Sequence, residues 1–197
     1  MISRFLFSAT IAIATSIYIG ADPVTVRPEM GTPSLVPAPF RVEGRVEKTV
    51  SDGKPVYRSQ WPGVYFETAF SGTAIDFQIG HGDGIFHVLV DGGSVTKLIK
   101  PASGLYTVEG LPSGRHVARI EVASENQTAP IDFGGFFAAK NQHASAPRSL
   151  SRSIEFIGDS HTVGYGNTST VRQCTPKDVW LKTDTSQAFG PIVARHY

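Results

Sequence analysis

Ile85-Phe86-His87-Val88-Leu89-Val90-Asp91-Gly92-Gly93-Ser94-Val95-Thr96-Lys97-Leu98-Ile99 is the stretch that decides the fold. An apolar run breaks at Asp91-Gly92-Gly93 and a second run follows, which is a β-hairpin with its turn chemistry in place. The same pattern extends in both directions. Upstream, Thr73 to His81 sets Ile75, Phe77 and Ile79 on one face against Ala74, Asp76 and Gln78. Val64 to Phe70 reads as a further strand, and Arg41 to Glu47 alternates valines with charges. Downstream, Leu105 to Glu109 and Arg115 to Ala123 form a second hairpin across Leu111-Pro112-Ser113-Gly114, and Ile131 to Ala138 follows. About eight short strands with Gly-rich turns and no helical periodicity predict a mostly β domain over residues 41–139, a jelly-roll β-sandwich.

The flanks obey different rules. Residues 1–21 carry Arg4, an apolar run from Phe5 to Ile19, and the small residues Gly20 and Ala21. That order predicts a signal peptide, with a mature chain starting near Ala21 or Asp22. The run is short of the ~20 residues a spanning helix needs, and Thr10, Thr15 and Ser16 weaken it, so no stable membrane association is expected after cleavage. Export to the periplasm or medium fits a chain that has only Cys174 and therefore no internal disulfide. Residues 22–40 hold Pro23, Pro28, Pro33, Pro37 and Pro39, and read as a Pro-rich linker or an extended arm lying on a surface. Residues 140–153 are polar and read as a connection.

Beyond that connection Ile154-Glu155-Phe156-Ile157 predicts a short apolar strand running into Gly158-Asp159-Ser160. Asp184 then caps a predicted helix, with Gln187 as its reciprocal partner. Ala188, Phe189, Ile192, Val193 and Tyr197 share one face of that helix, with Pro191 an awkward member. Strand, loop and helix open an α/β unit. A lone βα unit cannot bury its apolar surface, so residues 154–197 are expected to be the truncated start of a larger α/β domain.

Composition narrows the functions. The 197 residues carry a formal net charge of +1, with 41% hydrophobic and 18% charged residues, which suits a packed core. Near-neutral charge without clustered Lys and Arg excludes an electrostatic case for nucleic acid. A single cysteine excludes a Cys-based zinc site.

Ser160 carries the chemistry. A serine on a tight turn after an apolar strand projects its hydroxyl from a sheet edge, where neighbouring backbone N–H groups can face a developing oxyanion. Gly158 permits the sharp turn, and Asp159 can hold it through side-chain to backbone bonds. The alternative is an ordinary turn, since Gly, Asp and Ser are common turn residues.

The whole run from Ile154 through Gly158-Asp159-Ser160-His161-Thr162-Val163-Gly164-Tyr165-Gly166-Asn167 resembles the first block of SGNH (GDSL-like) hydrolases. More narrowly it resembles carbohydrate esterase family 2, the acetyl-xylan-esterase-like enzymes, whose jelly-roll domain precedes the SGNH domain. Trp61-Pro62-Gly63, Asp91-Gly92, Leu111 to His116, Phe133-Gly134-Gly135-Phe136 and Ser186 to Arg195 fit that layout. The resemblance implies an exported serine esterase that deacetylates polysaccharides or oligosaccharides through an acyl-enzyme. It implies Ser160 as nucleophile and first oxyanion donor, and it implies no metal or organic cofactor. The family's His base and its remaining oxyanion donors have no matching positions here. The chain by itself is therefore expected to be inactive. The competing reading is a non-enzymatic glycan-binding β-sandwich with a vestigial hydrolase stub.

The local histidines offer poor substitutes for that base. The His161 side chain should diverge from its neighbour's, His196 lies on the predicted helix, His81 and His87 flank an interstrand turn, and His116 and His143 are isolated. Trp61, Tyr65, Tyr106 and Trp180 offer faces for sugar rings, with sandwich core as the alternative for those on strands. Trp180, in a polar loop after the serine block, is the expected substrate contact.

Overall fold

A computed structural model describes residues 23–31, 34–126 and 129–196. Residues 1–21, the expected signal peptide, lie outside the described residues. Thirteen strands run through the described residues: β1 (Thr25–Pro28), β2 (Leu35–Ala38), β3 (Arg41–Glu43), β4 (Glu47–Ser51), β5 (Lys54–Ser59), β6 (Tyr65–Gly72), β7 (Ile75–Ile79), β8 (Ile85–Val90), β9 (Gly93–Ile99), β10 (Gly104–Glu109), β11 (Gly114–Val122), β12 (Ile131–Ala139) and β13 (Ala144–Ser145). They form two antiparallel sheets packed as a sandwich. One runs β1-β10-β7-β12-β5-β4 with β2 also on β12; the other runs β13-β6-β11-β8-β9 with β3 also on β6.

Local chemistry explains the hairpins. Asp91 and Gly92 both take positive φ, 52° and 79°, so β8 and β9 join through a two-residue turn whose twist matches the strands. Asp52 and Gly53 do the same between β4 and β5, at 50° and 72°. This second hairpin is additional to the expected strands, although Asp52-Gly53 between Val50 and Val56 is the same signal. The expected strand from Arg41 to Glu47 breaks at Gly44, where φ is 97° and a Cβ would meet Val64 at 2.9 Å.

The core lies between the sheets. Ile75, Phe77 and Ile79 of β7 are fully buried, as the alternation predicts. Phe66 of β6 stacks on Phe133 of β12 with ring centroids 4.1 Å apart, and Phe40 and Phe136 pack edge-on against Phe133. Tyr106 is core too, stacked on Phe77, with its hydroxyl donating to the Ala102 carbonyl at 2.9 Å.

Four expectations need correction. The hairpin expected of residues 105–109 and 115–123 does not form: β10 pairs with β1 and β7 in one sheet, while β11 pairs with β6 and β8 in the other, so the connection crosses between sheets. Residues 22–40 are not a free linker: β1 pairs with β10 and β2 pairs with β12. Pro tolerates these positions because they lie at the margins of the sheet, where ladder donors are dispensable. The polar connection after residue 139 is also partly sheet, since Ala144 pairs with Phe70 through β13. Residues 154–157 form no strand, and Ile157 is 85% exposed. A strand needs a hydrogen-bonding neighbour, and none of the described strands pairs with this segment.

Candidate active site

The serine block is a compact turn. The amides of Thr162 and Val163 donate to the Asp159 carbonyl at 3.0 and 3.4 Å, and the Tyr165 amide donates to the Ser160 carbonyl at 2.9 Å. The Asp159 carboxylate accepts from the His161 amide at 3.0 Å, an Asx-type brace across Ser160. Gly158 has a specific reason to be glycine: a Cβ there would run into the Thr162 hydroxyl. Ser160 is exposed, and its hydroxyl is hydrogen-bonded to none of the described residues.

Two helices follow. α1 (Pro176–Leu181) starts with a full capping box, Thr175 accepting from the Asp178 amide while Asp178 accepts from Thr175, and with Pro176 in the first turn. This helix is additional to the expected elements, although Thr175-Pro176-Lys177-Asp178 carries its start signal. Asp184 caps a single 3-10 turn, Thr185–Gln187, accepting from the Ser186 amide at 3.1 Å and from Gln187 Nε2 at 3.1 Å. The second helix, α2 (Phe189–His196), begins only after that turn. Pro191 sits in the first turn of α2, where its missing N–H is not needed. Phe156 meets Phe189 edge-on at 5.6 Å and covers Gly190, while Phe189 and Ile192 remain about half exposed.

Residues 182–185 tie the serine turn to the sandwich. The Thr185 hydroxyl donates to the Val163 carbonyl at 2.7 Å, and its amide donates to the Ala123 carbonyl just beyond β11 at 2.9 Å. The Gly166 amide donates to the Thr183 hydroxyl at 3.0 Å. On the sandwich side Arg45 pairs with Glu155 at 2.7 Å.

Trp180 differs from its expected place. It is half-buried on α1 rather than exposed in a loop, its Nε1 donates to the Glu125 carbonyl at 3.1 Å, and Lys100 Nζ lies 5.1 Å from the ring centroid. The indole therefore docks α1 onto the sandwich. Trp61 is the exposed one, at 60%.

Three of the histidines have partners away from Ser160. His87 faces the buried Asp184 at 3.6 Å. Burial pulls its pKa below the usual value, against the pull of Asp184. Its cross-strand neighbour Glu121 is pushed up by burial. His81 pairs with Asp52 and His116 with Asp91, each at 2.7 Å. No hydrogen bond or ion pair joins a histidine to Ser160 among the described residues. Among the same residues, no group of three or more His, Cys, Asp or Glu converges as a metal site.

The family model for the carbohydrate esterase 2 N-terminal domain matches residues 42–147, which covers the sandwich from β3 to β13. The chain belongs to that family. It is 39% identical over 165 residues to an acetylxylan esterase / glucomannan deacetylase of Cellvibrio japonicus, covering 83% of this chain and 46% of that protein. A solved carbohydrate esterase, described for the divergent catalytic and non-catalytic binding functions of its active site, superposes with a TM-score of 0.73 at 35% identity, over 82% of this chain and 47% of that one. A family two carbohydrate esterase from Clostridium thermocellum, solved with cellohexaose, gives 0.64 at 30% identity over 80% of this chain and 48% of that one. This carbohydrate esterase family 2 chain thus spans about half the length of these three relatives.

Proposed function

We propose that this chain is the N-terminal part of an exported SGNH-type serine esterase that removes acetyl groups from polysaccharides. The observation that carries the reading is the braced Gly158-Asp159-Ser160 turn, held against a carbohydrate esterase 2 N-terminal domain through Thr185 and Ala123. The names of the relatives support an acetylated polysaccharide as substrate: one is an acetylxylan esterase / glucomannan deacetylase, and another was solved with cellohexaose. The interleaving of β5 to β12, with β10-β7-β12-β5 facing β6-β11-β8-β9, supports the jelly-roll reading. The apolar stretch from Phe5 to Ile19 supports export.

In this mechanism Ser160 Oγ attacks the ester carbonyl carbon and its proton passes to a base. The tetrahedral oxyanion collapses to an acetyl-serine and expels the sugar hydroxyl, which takes that proton. Water then attacks the acetyl-serine, giving one proton to the base, and collapse of the second tetrahedral oxyanion releases the acetyl group as acetic acid while the base passes that proton to Ser160 Oγ. Chemistry of this kind needs an exposed nucleophile on a rigid loop, which the turn provides. The test is Ser160→Ala in the longer protein. Loss of acetate release from acetylated xylan with an unchanged melting curve supports the assignment, and unimpaired release overturns it.

A further inference from the structure

A groove of about 560 Å³ lies at the end of the sandwich, lined by Arg45, Glu47, Arg58, Gln60 and Trp61 among others. We infer that it is a glycan-binding subsite, separate from the Ser160 turn, that takes a neutral polysaccharide with a sugar ring stacked on Trp61. The inference rests on the reading that an acylated polysaccharide is the substrate.

Chemistry sets the ligand class. Trp61 is 60% exposed, and an exposed indole in a groove presents an apolar face suited to the C–H face of a pyranose. The polar lining offers both donors and acceptors. Arg58 spends Nε and Nη2 on Asp132 at 2.8 and 2.9 Å, and Arg45 spends Nε on Glu155 at 2.7 Å. Each guanidinium has further N–H donors beyond those used, while Glu47 and Gln60 supply acceptors for sugar hydroxyls. Charge decides against anionic ligands. Asp132 neutralises Arg58 and Glu155 neutralises Arg45, so Glu47 leaves the groove with a net negative charge rather than a positive one. A uronate or phosphate is repelled there, and a neutral chain is not.

Position links the groove to the serine. Glu155, which holds Arg45, is five residues before Ser160, and that length of chain reaches at most about 17 Å. The other wall is tied in as well. The Gly63 amide donates to the Val122 carbonyl at 2.8 Å, and a Cβ on Gly63 would touch the Thr185 methyl at 3.5 Å. Thr185 in turn holds Val163 of the serine turn. The groove and the serine turn are thus fastened to the same short segments, which favours a chain of several sugars over a single one as the shared ligand.

Affinity electrophoresis of the chain tests this, with hydroxyethylcellulose, glucomannan or polygalacturonate cast in the gel. Wild type and Ser160→Ala are expected to be retarded alike by a neutral polymer and to run freely in polygalacturonate. Trp61→Ala should raise the apparent dissociation constant on the order of tenfold, with Trp61→Phe between the two. Melting curves matching wild type verify that the exposed substitution leaves the fold intact. Equal retardation of Trp61→Ala, no retardation of wild type, loss of binding in Ser160→Ala, or preference for polygalacturonate each overturns the proposal. None of these outcomes bears on the esterase reading, which is measured by acetate release.

Discussion

Asn167 and Asp184 hold each other by two hydrogen bonds: Asn167 Nδ2 donates to the Asp184 carbonyl at 2.9 Å, and the Asp184 amide donates to Asn167 Oδ1 at 3.0 Å. One side-chain amide thereby substitutes for a neighbouring strand and fastens the end of the serine block to the cap of the following turn. Asp184 is buried, so water cannot replace either bond without opening the structure. Gly164 is part of the same joint: its φ is 72°, and a Cβ would meet the Asn167 amide at 2.7 Å.

Asn167→Ala is expected to orphan the Asp184 amide, to leave the Asp184 carbonyl with the Gln187 amide as its remaining donor, and to cost about 1–3 kcal/mol locally. Hydrogen exchange reads this directly. The amides of residues 162–187 should lose protection while those of β7 and β11 keep theirs. Unchanged protection at Asp184 and Thr185 would mean the joint does not hold the turn.

Ser160 lacks a histidine partner among the described residues, so this chain alone should turn over an aryl acetate at or near the uncatalysed rate. In the longer protein, Ser160→Ala should lower turnover by about 10³-fold or more. Robust hydrolysis by the chain alone that disappears in Ser160→Ala would show a local base at work, with His161 and His196 the first to replace.

His116 predicts a pH dependence. Its Nδ1 lies 2.7 Å from Asp91 Oδ2 and its Nε2 lies 2.8 Å from the Pro112 carbonyl. Two acceptors favour the imidazolium, and the Asp91 bond is the chief cause raising this pKa. Burial pushes the Asp91 carboxyl up, but the His116 bond and the Val117 amide bring it below the ordinary value. A raised histidine stabilises the fold below its unfolded pKa of about 6.5, and that contribution fades as pH rises through the folded value. The lowered carboxyl stabilises above about 3.9 and fades as pH falls further. Asp91→Asn keeps a residue that tolerates the φ of 52°, so it isolates the charge. Its destabilisation relative to wild type, measured by urea melts, should be larger at pH 5.5 than at pH 8.5. Comparing the two proteins cancels His87, whose lowered pKa acts in the opposite sense. A difference independent of pH would remove the charged pair from the account.

Phe66 and Phe133 join the two sheets through one stacked contact, and both are essentially fully buried. Phe133→Ala should therefore cost about 3–5 kcal/mol, seen as a lower urea midpoint. A loss below 1 kcal/mol would show that Phe40 and Phe136 collapse into the space.

Much of the sandwich was legible because its signals are local. Asp91-Gly92 forms a two-residue turn whatever lies elsewhere, and the alternation of Ile75, Phe77 and Ile79 identifies the buried face of β7. The Gly158-Asp159-Ser160 turn was legible for the same reason, since its bonds close within a few residues. Gly44 was not, because its requirement comes from Val64, twenty residues away.

The sequence by itself determined the tight β8–β9 turn, the inward face of β7 and the position of the exposed serine, all set by neighbours within one or two turns of chain. Only the tertiary structure decided that the Pro-rich arm joins the sheet, where Arg27 pairs with Glu109 at a separation of 82 residues. It also decided that Trp180 docks on Glu125 while Trp61 stays open, and that Thr185 bridges Ala123 to Val163. Those outcomes depend on which backbone donors and acceptors remain unpaired after the sheets form, and that is a property of the assembled surface rather than of any local pattern.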